Sequence, residues 1–427
     1  MSKRNFFFYF VFAVSLLKLI LVAGNEVVAS PNDSESYVRQ AAHHLFELGV
    51  PPGYPFWLAV SKLSGMPQRI SIELLLVGSS LLMSGLIRKM FGEVSGALAF
   101  AMLVLSPATY FMFDYALSDG FYACLGIFGI AFSSATIFAK SKRTALAAAV
   151  LLGCSMGWMA LARNEDPILI VWAGLIVLLG TSYSLKIGSS STVLGLAKQA
   201  LLVGAAIAIP AVTIVQGVNL MHLNNSGVFA RTLAGLPGHM RLLHNLAEID
   251  AEEASIRYVP ISEKARSLAY LSSPTLAKYE KSIEDPGNIF LVVSRQVGLP
   301  AGEIGAGWIW HALNSYILQA NGIVGAEVEY KKINAEIENG FKYGMLKRRR
   351  VLHSFATAPI LDIGMRLPKS AWEVAKKSFQ TYHLGADVGY EKEVFDAVNL
   401  RRTALTGGGF KHTVQGWAFV EDRAKKI

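Results

Sequence analysis

Apolar residues gather in seven long blocks along the first half of the chain, at 6–24, 68–88, 92–106, 119–139, 144–162, 166–184 and 198–218. A helix of about 20 such residues crosses roughly 30 Å of hydrocarbon, so the pattern predicts seven membrane-spanning helices. The third block is short, and Pro107 closes it. The first follows Lys3 and Arg4, a start that would also suit a signal peptide, whose cleavage would still leave Asp33 outside. Lys18 interrupts that block near its far end, from which its stem can snorkel to the interface. Between the first two blocks lies a polar loop, 25–66, in which Pro51, Pro52 and Pro55 turn the chain into an amphipathic interfacial helix.

From residue 220 on, the pattern changes. No run of about 18 uncharged apolar residues occurs there. This part holds 26 of the 40 Lys and Arg and 21 of the 31 Asp and Glu, as a soluble domain would. Helical spacing dominates it: Trp308, Ile309, Ala312, Leu313 and Tyr316 form one stripe, and 330–341 is amphipathic. Ser262 after Pro260, and Pro274 after Ser273, read as helix starts. Gly407, Gly408 and Gly409 then form a linker, and 413–420 reads as the opening strand of a small β module. The expected organisation is a membrane module over 1–219, a mainly helical domain over 220–406, and the linker with its β segment over 407–427.

Composition agrees with this reading. The chain is 52% hydrophobic and only 17% charged, with a mean hydropathy of +0.39, where a soluble protein carries about a quarter charged residues. The class predicted is an all-α polytopic membrane protein. Cys124 and Cys154 both fall inside apolar blocks, which disfavours a structural disulfide or zinc site. The formal charge of +9 lacks the aromatic and Gly-rich signatures of RNA binding, so nucleic acid is not an expected partner, whereas anionic lipid headgroups or substrate phosphates are. Threading the spans from a cytoplasmic amino terminus puts Lys3, Arg4, Arg88, Lys89, Lys140, Lys142, Arg143, Lys186 and Lys198 inside. Only Arg39, Lys62, Arg69 and Arg163 then lie in the short outer loops, as the positive-inside rule requires. The same threading puts Asp33, Glu35, Glu47, Asp114, Asp119, Glu165 and Asp166 on the outer face and makes the 220–406 domain extracytoplasmic. A bacterial inner membrane is the expected location.

Three places on that face could carry chemistry. Asp33 begins an Asp-x-x-x-Tyr step, so Asp33 and Tyr37 share a helical face, and a proline-aromatic stretch containing Tyr54 follows. An exposed loop aspartate is otherwise merely solvated. Asp119, in ALSDGFYACL, opens an apolar span; it reads either as an amino-terminal cap, with Ser118 as the alternative cap, or as a site carboxylate. Arg163-Asn164-Glu165-Asp166 joins two spans; it reads either as a hairpin turn with a locally paired arginine or as a cation whose fork suits a phosphate at headgroup depth. The histidines show no metal-ligand spacing, and no metal ligand is assigned. There is no P-loop, no Gly-x-Gly-x-x-Gly after a strand, and no Asp-x-Asp of the kind that holds a metal diphosphate.

On these residues the sequence resembles the GT-C glycosyltransferases, the membrane enzymes that use dolichyl- or polyprenyl-phosphate sugars, such as protein mannosyltransferases and lipid A aminoarabinose transferases. The resemblance implies a GT-C-like bundle and a first-loop acid as catalyst, which by position is Asp33. It also implies supporting roles for Glu35 and Asp119 in catalysis, and for Tyr37, Tyr54, Arg163 and Glu165 in substrate binding. A divalent cation (Mg or Mn) is one use for Asp119 and Glu165; positioning the sugar is the other. The sequence departs from the best-known members in separating Asp33 from Glu35 by Ser34 and in its low span count. The expected partners are a polyprenyl-phosphate-linked sugar, an extracytoplasmic acceptor and the bilayer. The rival expectation is a transporter, flippase or envelope-assembly scaffold with a glycan-binding domain; such transporters place ionisable groups at mid-membrane.

Overall fold

The computed structural model describes residues 3–24, 27–28, 33–43, 48–139, 141–186, 192–252, 256, 258–296, 298–349 and 411–412. They fall into two compact units. One takes the described residues of Met1–Phe46 and Val50–Val218, together with a short strand near the carboxyl terminus; the other takes the described residues of Glu47–Gly49 and Asn219–Phe379.

The first unit is a helix bundle. In chain order it contains α1 (Lys3–Val22), the two-residue strand β1 (Val27–Val28), α2 (Asp33–His43), α3 (Gly53–Leu63), α4 (Gln68–Phe91), α5 (Glu93–Val104), α6 (Pro107–Phe113), α7 (Ser118–Phe138), α8 (Lys142–Ala162), α9 (Asp166–Lys186) and α10 (Val193–Ser226), which continues into the second unit. Among the described residues, six helices are long and apolar enough to cross a membrane: Gln68–Phe91, Glu93–Tyr110, Ser118–Phe138, Lys142–Ala162, Asp166–Tyr183 and Val193–Ser226. Phe6–Val22 is apolar but shorter. Phe12, Ile20, Met102, Ile170, Leu178 and Leu201 on these helices are exposed, as side chains that face lipid would be. Pro107 opens α6 rather than only closing α5, because a first-turn residue has no intrahelical partner for the N–H that proline lacks.

Lys18 does not snorkel. It is fully buried and lies 3.5 Å from Glu73 of α4, because the bundle supplies a carboxylate closer than the interface. Arg69, expected in an outer loop, is likewise buried in α4, 3.1 Å from Glu73. Cys124 and Cys154 are free thiols.

The second unit is built around α16 (Ala306–Lys342), which bends at Gly322, where a φ of 66° breaks the helix. Against it pack α11 (Pro237–Ala247), α12 (Glu263–Ser272), α13 (Pro274–Ala277), α14 (Glu280–Ile283) and α15 (Ile289–Gln296). Ile309, Ala312 and Leu313 of the predicted stripe are buried, with Trp308 and Tyr316 packed at its edge. The carboxylates of α16 face neighbouring helix starts. Glu327 accepts from Gly238 N at the head of α11 (3.0 Å), and Glu336 accepts from Thr275 N (3.0 Å) and the Ser273 hydroxyl (2.6 Å) at α13. Arg266, also buried, makes a two-pronged pair with Glu284 at 2.7 and 2.8 Å. Lys347 and Arg348 pair with Glu252 and Glu248, so that part of the basic 347–350 run is a set of surface pairs. Strand β2 (Lys411–His412) runs antiparallel to β1 in the first unit. The strand expected over 413–420 lies outside the described residues.

His239, in α11, is fully buried against the Tyr330 ring. Burial, with His311 adding to it, pushes its value down to about 4 against the opposing pull of the Ala234 and Trp310 carbonyls. The unfolded chain therefore takes up a proton between pH 6.5 and 4 that the native imidazole refuses. Stability of this unit is expected to fall by about 3 kcal/mol as pH drops through that window. Thermal melts of purified His239→Phe protein should lack this pH slope; an unchanged slope would assign the effect to other groups.

Candidate functional site

The loops after α1, after α6 and after α8 meet at one end of the bundle. Ser34 of α2 donates its hydroxyl to the Ala116 carbonyl in the α6–α7 loop at 2.9 Å. Tyr37, one turn further, sits 3.2 Å from the Ser118 hydroxyl at the head of α7. At Gly53 an added Cβ would stand 2.8 Å from the backbone of Leu161 and of Ala162, so only glycine lets α3 abut the end of α8. That approach buries Tyr54, whose ring meets Tyr37 edge-on at 5.3 Å and whose hydroxyl accepts from Gln68 Nε2 at 2.6 Å.

Beside this core stands Arg163, in extended backbone just past α8. Its Nε donates to Glu165 Oε1 at 2.8 Å, its Nη1 is in close contact with Asp119 Oδ1, and the Tyr122 ring lies near the guanidinium. Burial works against the arginine's charge, but Asp119 and Glu165 outweigh it and hold its value above the ordinary one. The three side chains remain partly exposed, at 36%, 43% and 34% for Arg163, Asp119 and Glu165. They form an open polar patch with the two Nη2 protons of the guanidinium not used by either carboxylate.

Five of the seven residues singled out in the sequence thus converge: Tyr37, Tyr54, Asp119, Arg163 and Glu165. Asp119 is not a helix cap. Leu117 holds the cap position without a side-chain bond, and the Asp119 carboxylate turns to Arg163, 44 residues away. Nor is Arg163 paired only within its turn. Tyr54 is 2% exposed, so instead of reaching substrate it packs beneath the rim; burial raises its phenol and keeps it protonated. Asp33 opens α2, beside the anchored Ser34, but the side chains of Asp33 and Glu35 lie outside the described residues. Among the described residues, no three His, Cys, Asp or Glu side chains are grouped to hold a metal ion. Asp119 and Glu165 both pair with the Arg163 guanidinium.

One functional-looking group escaped the sequence reading. Glu73 is fully buried in α4 between Lys18 and Arg69, and Arg69 Nε reaches Asp114 Oδ1 at 3.5 Å. The legible signal was the Arg69–Glu73 spacing of four, which stacks the pair on one face of an apolar helix. Lys18 stands about 6 Å from the end of α1, and Glu73 about 7.5 Å from the start of α4, at 1.5 Å per residue.

No family model matches the chain, and no curated protein or solved structure matches it either.

Proposed function

We propose that this protein is a membrane glycosyltransferase of the GT-C kind, moving a hexosyl group from a polyprenyl-phosphate donor to an acceptor on the outer face. The observation that carries this reading is the convergence of the first loop with Asp119, Arg163 and Glu165 at one end of an apolar bundle. A lipid-borne substrate meets a water-borne one at such a rim, and holding both there supplies a large part of the barrier reduction. In the proposed step Asp33 takes the proton from the acceptor hydroxyl as its oxygen attacks the anomeric carbon. The bond from that carbon to the phosphate oxygen breaks with inversion, and the departing phosphate keeps the electron pair. In this step Arg163 meets that charge with its Nη2 protons, while Asp119 and Glu165 orient the sugar. The amino terminus is then cytoplasmic, the second unit extracytoplasmic, and a bacterial inner membrane the setting.

The buried Lys18–Glu73–Arg69 group favours the rival reading of a transporter or flippase, since charges inside a bundle mark ion and substrate paths. Its depth argues against that. It lies about one to one and a half turns from the helix ends that carry the rim, whereas mid-bilayer lies about 15 Å in. The test is to reconstitute the protein with a radiolabelled polyprenyl-phosphate hexose and an envelope extract as acceptor. Label should leave the lipid for the acceptor. Movement of intact donor between leaflets, with no transfer, would replace the enzyme by the flippase.

A further inference from the structure

Glu73 is the shared anion of a buried charge group whose other members all touch one short helix. Lys18 Nζ, 3.5 Å from Glu73, donates to Thr109 Oγ1 at 2.9 Å and lies 3.2 Å above the Tyr110 ring. Arg69, 3.1 Å from Glu73, reaches the Thr109 carbonyl through Nη1 at 3.4 Å and Asp114 through Nε at 3.5 Å. Both cations therefore grip α6, one from α1 and one from α4. Neither Glu73 oxygen makes a regular hydrogen bond, so charge is what holds it.

Helix α6 has seven residues, too few to be stable alone. It leads directly into the loop 114–117, whose Ala116 carbonyl seats Ser34 and whose far end presents Ser118 to Tyr37 and Asp119 to Arg163. We infer that Glu73 is a positioning residue: through Lys18 and Arg69 it fixes α6 and the 114–117 loop, and so sets where α2 and Asp119 stand at the rim. With Lys18, Arg69, Glu73 and Asp114 ionised the group is neutral. Losing the central anion leaves two buried cations facing each other, which drives Arg69 or Lys18 off α6. The relevance to sugar transfer rests on the function proposed above; the placement itself does not, and can be read without any turnover.

The reporter is Ala116→Cys in a Cys124→Ala, Cys154→Ala background. Ala116 is 1% exposed, so its thiol should react slowly with a water-soluble maleimide in intact membranes. Adding Glu73→Gln, which keeps shape and removes charge, should speed alkylation about tenfold or more as the loop opens locally. Adding Lys18→Met to Glu73→Gln leaves Arg69 and Asp114 as a neutral pair and should slow it part of the way back, short of the starting rate because the Lys18 hold on Thr109 is lost as well; a role in packing alone would give no slowing. Asp114→Asn cuts the chain at its half-exposed end, where folding is least at risk, and should also speed alkylation. The inference is overturned if Asp114→Asn or a recoverable Glu73→Gln protein labels at the starting rate, or if removing Lys18 as well brings no slowing. Should Glu73→Gln not reach the membrane, the Asp114→Asn rate decides.

Discussion

Replacing Asp33 by Asn should lower kcat for transfer from a polyprenyl-phosphate sugar by about 10²–10⁴-fold, the usual contribution of a general base. The donor KM should stay near the wild-type value. Asn keeps the size and most hydrogen bonds of Asp but cannot take a proton, so the loss falls on the chemical step. The amount of protein in the membrane should not change, because the neighbouring Ser34 anchors α2 through its own hydroxyl. Glu35 provides the internal contrast. If Glu35→Gln produces the large kcat loss and Asp33→Asn does not, the base is Glu35; if neither does, the first loop is not catalytic and the enzyme reading loses its centre.

Arg163→Gln should cut kcat/KM by about 10²–10³-fold, the size seen when a fixed donor to developing negative charge is lost. The reason lies in how this arginine is held. Asp119 and Glu165 take Nη1 and Nε and so fix the plane of the guanidinium, which leaves Nη2 directed by that plane. Arg163→Lys should recover less than about tenfold, because a point charge on a flexible stem cannot serve two carboxylates and a phosphate at once. Arg163→Gln leaves Asp119 and Glu165 facing each other uncompensated and should lower expression; adding Asp119→Asn relieves that repulsion and should restore expression without restoring transfer. Kinetics at saturating acceptor would separate these outcomes, and an Arg163→Gln enzyme of normal kcat/KM would remove this residue from the donor site.

The helical class and the division into apolar and polar halves were legible because both depend on local, one-dimensional properties. A run of apolar residues long enough to cross a bilayer is visible wherever it folds, and Ser262 and Ser273 cap their helices with the chain on either side of them. The rim residues were legible for a related reason. Polar side chains at the ends of apolar segments stand out, so Asp119 and Arg163 could be found, although their pairing across 44 positions could not.

Partnership is what one dimension leaves open. Lys18 read as a snorkelling lysine because its own helix offers only the interface; the carboxylate that buries it sits 55 positions away on α4. The substrate-contact role of Tyr54 came from the family resemblance, which carries no packing; in the structure Gly53 lets α3 close on α8 and covers it. Glu73 went unnoticed because a single acid in a long apolar segment barely alters its hydropathy, yet two cations from different helices make it a centre. The amino-acid order by itself determined that this is a mainly helical membrane protein with polar residues at the ends of its apolar helices. Only the tertiary structure decided which charges meet, because a buried charge needs a partner within a few ångströms, and that distance is set by how the helices pack.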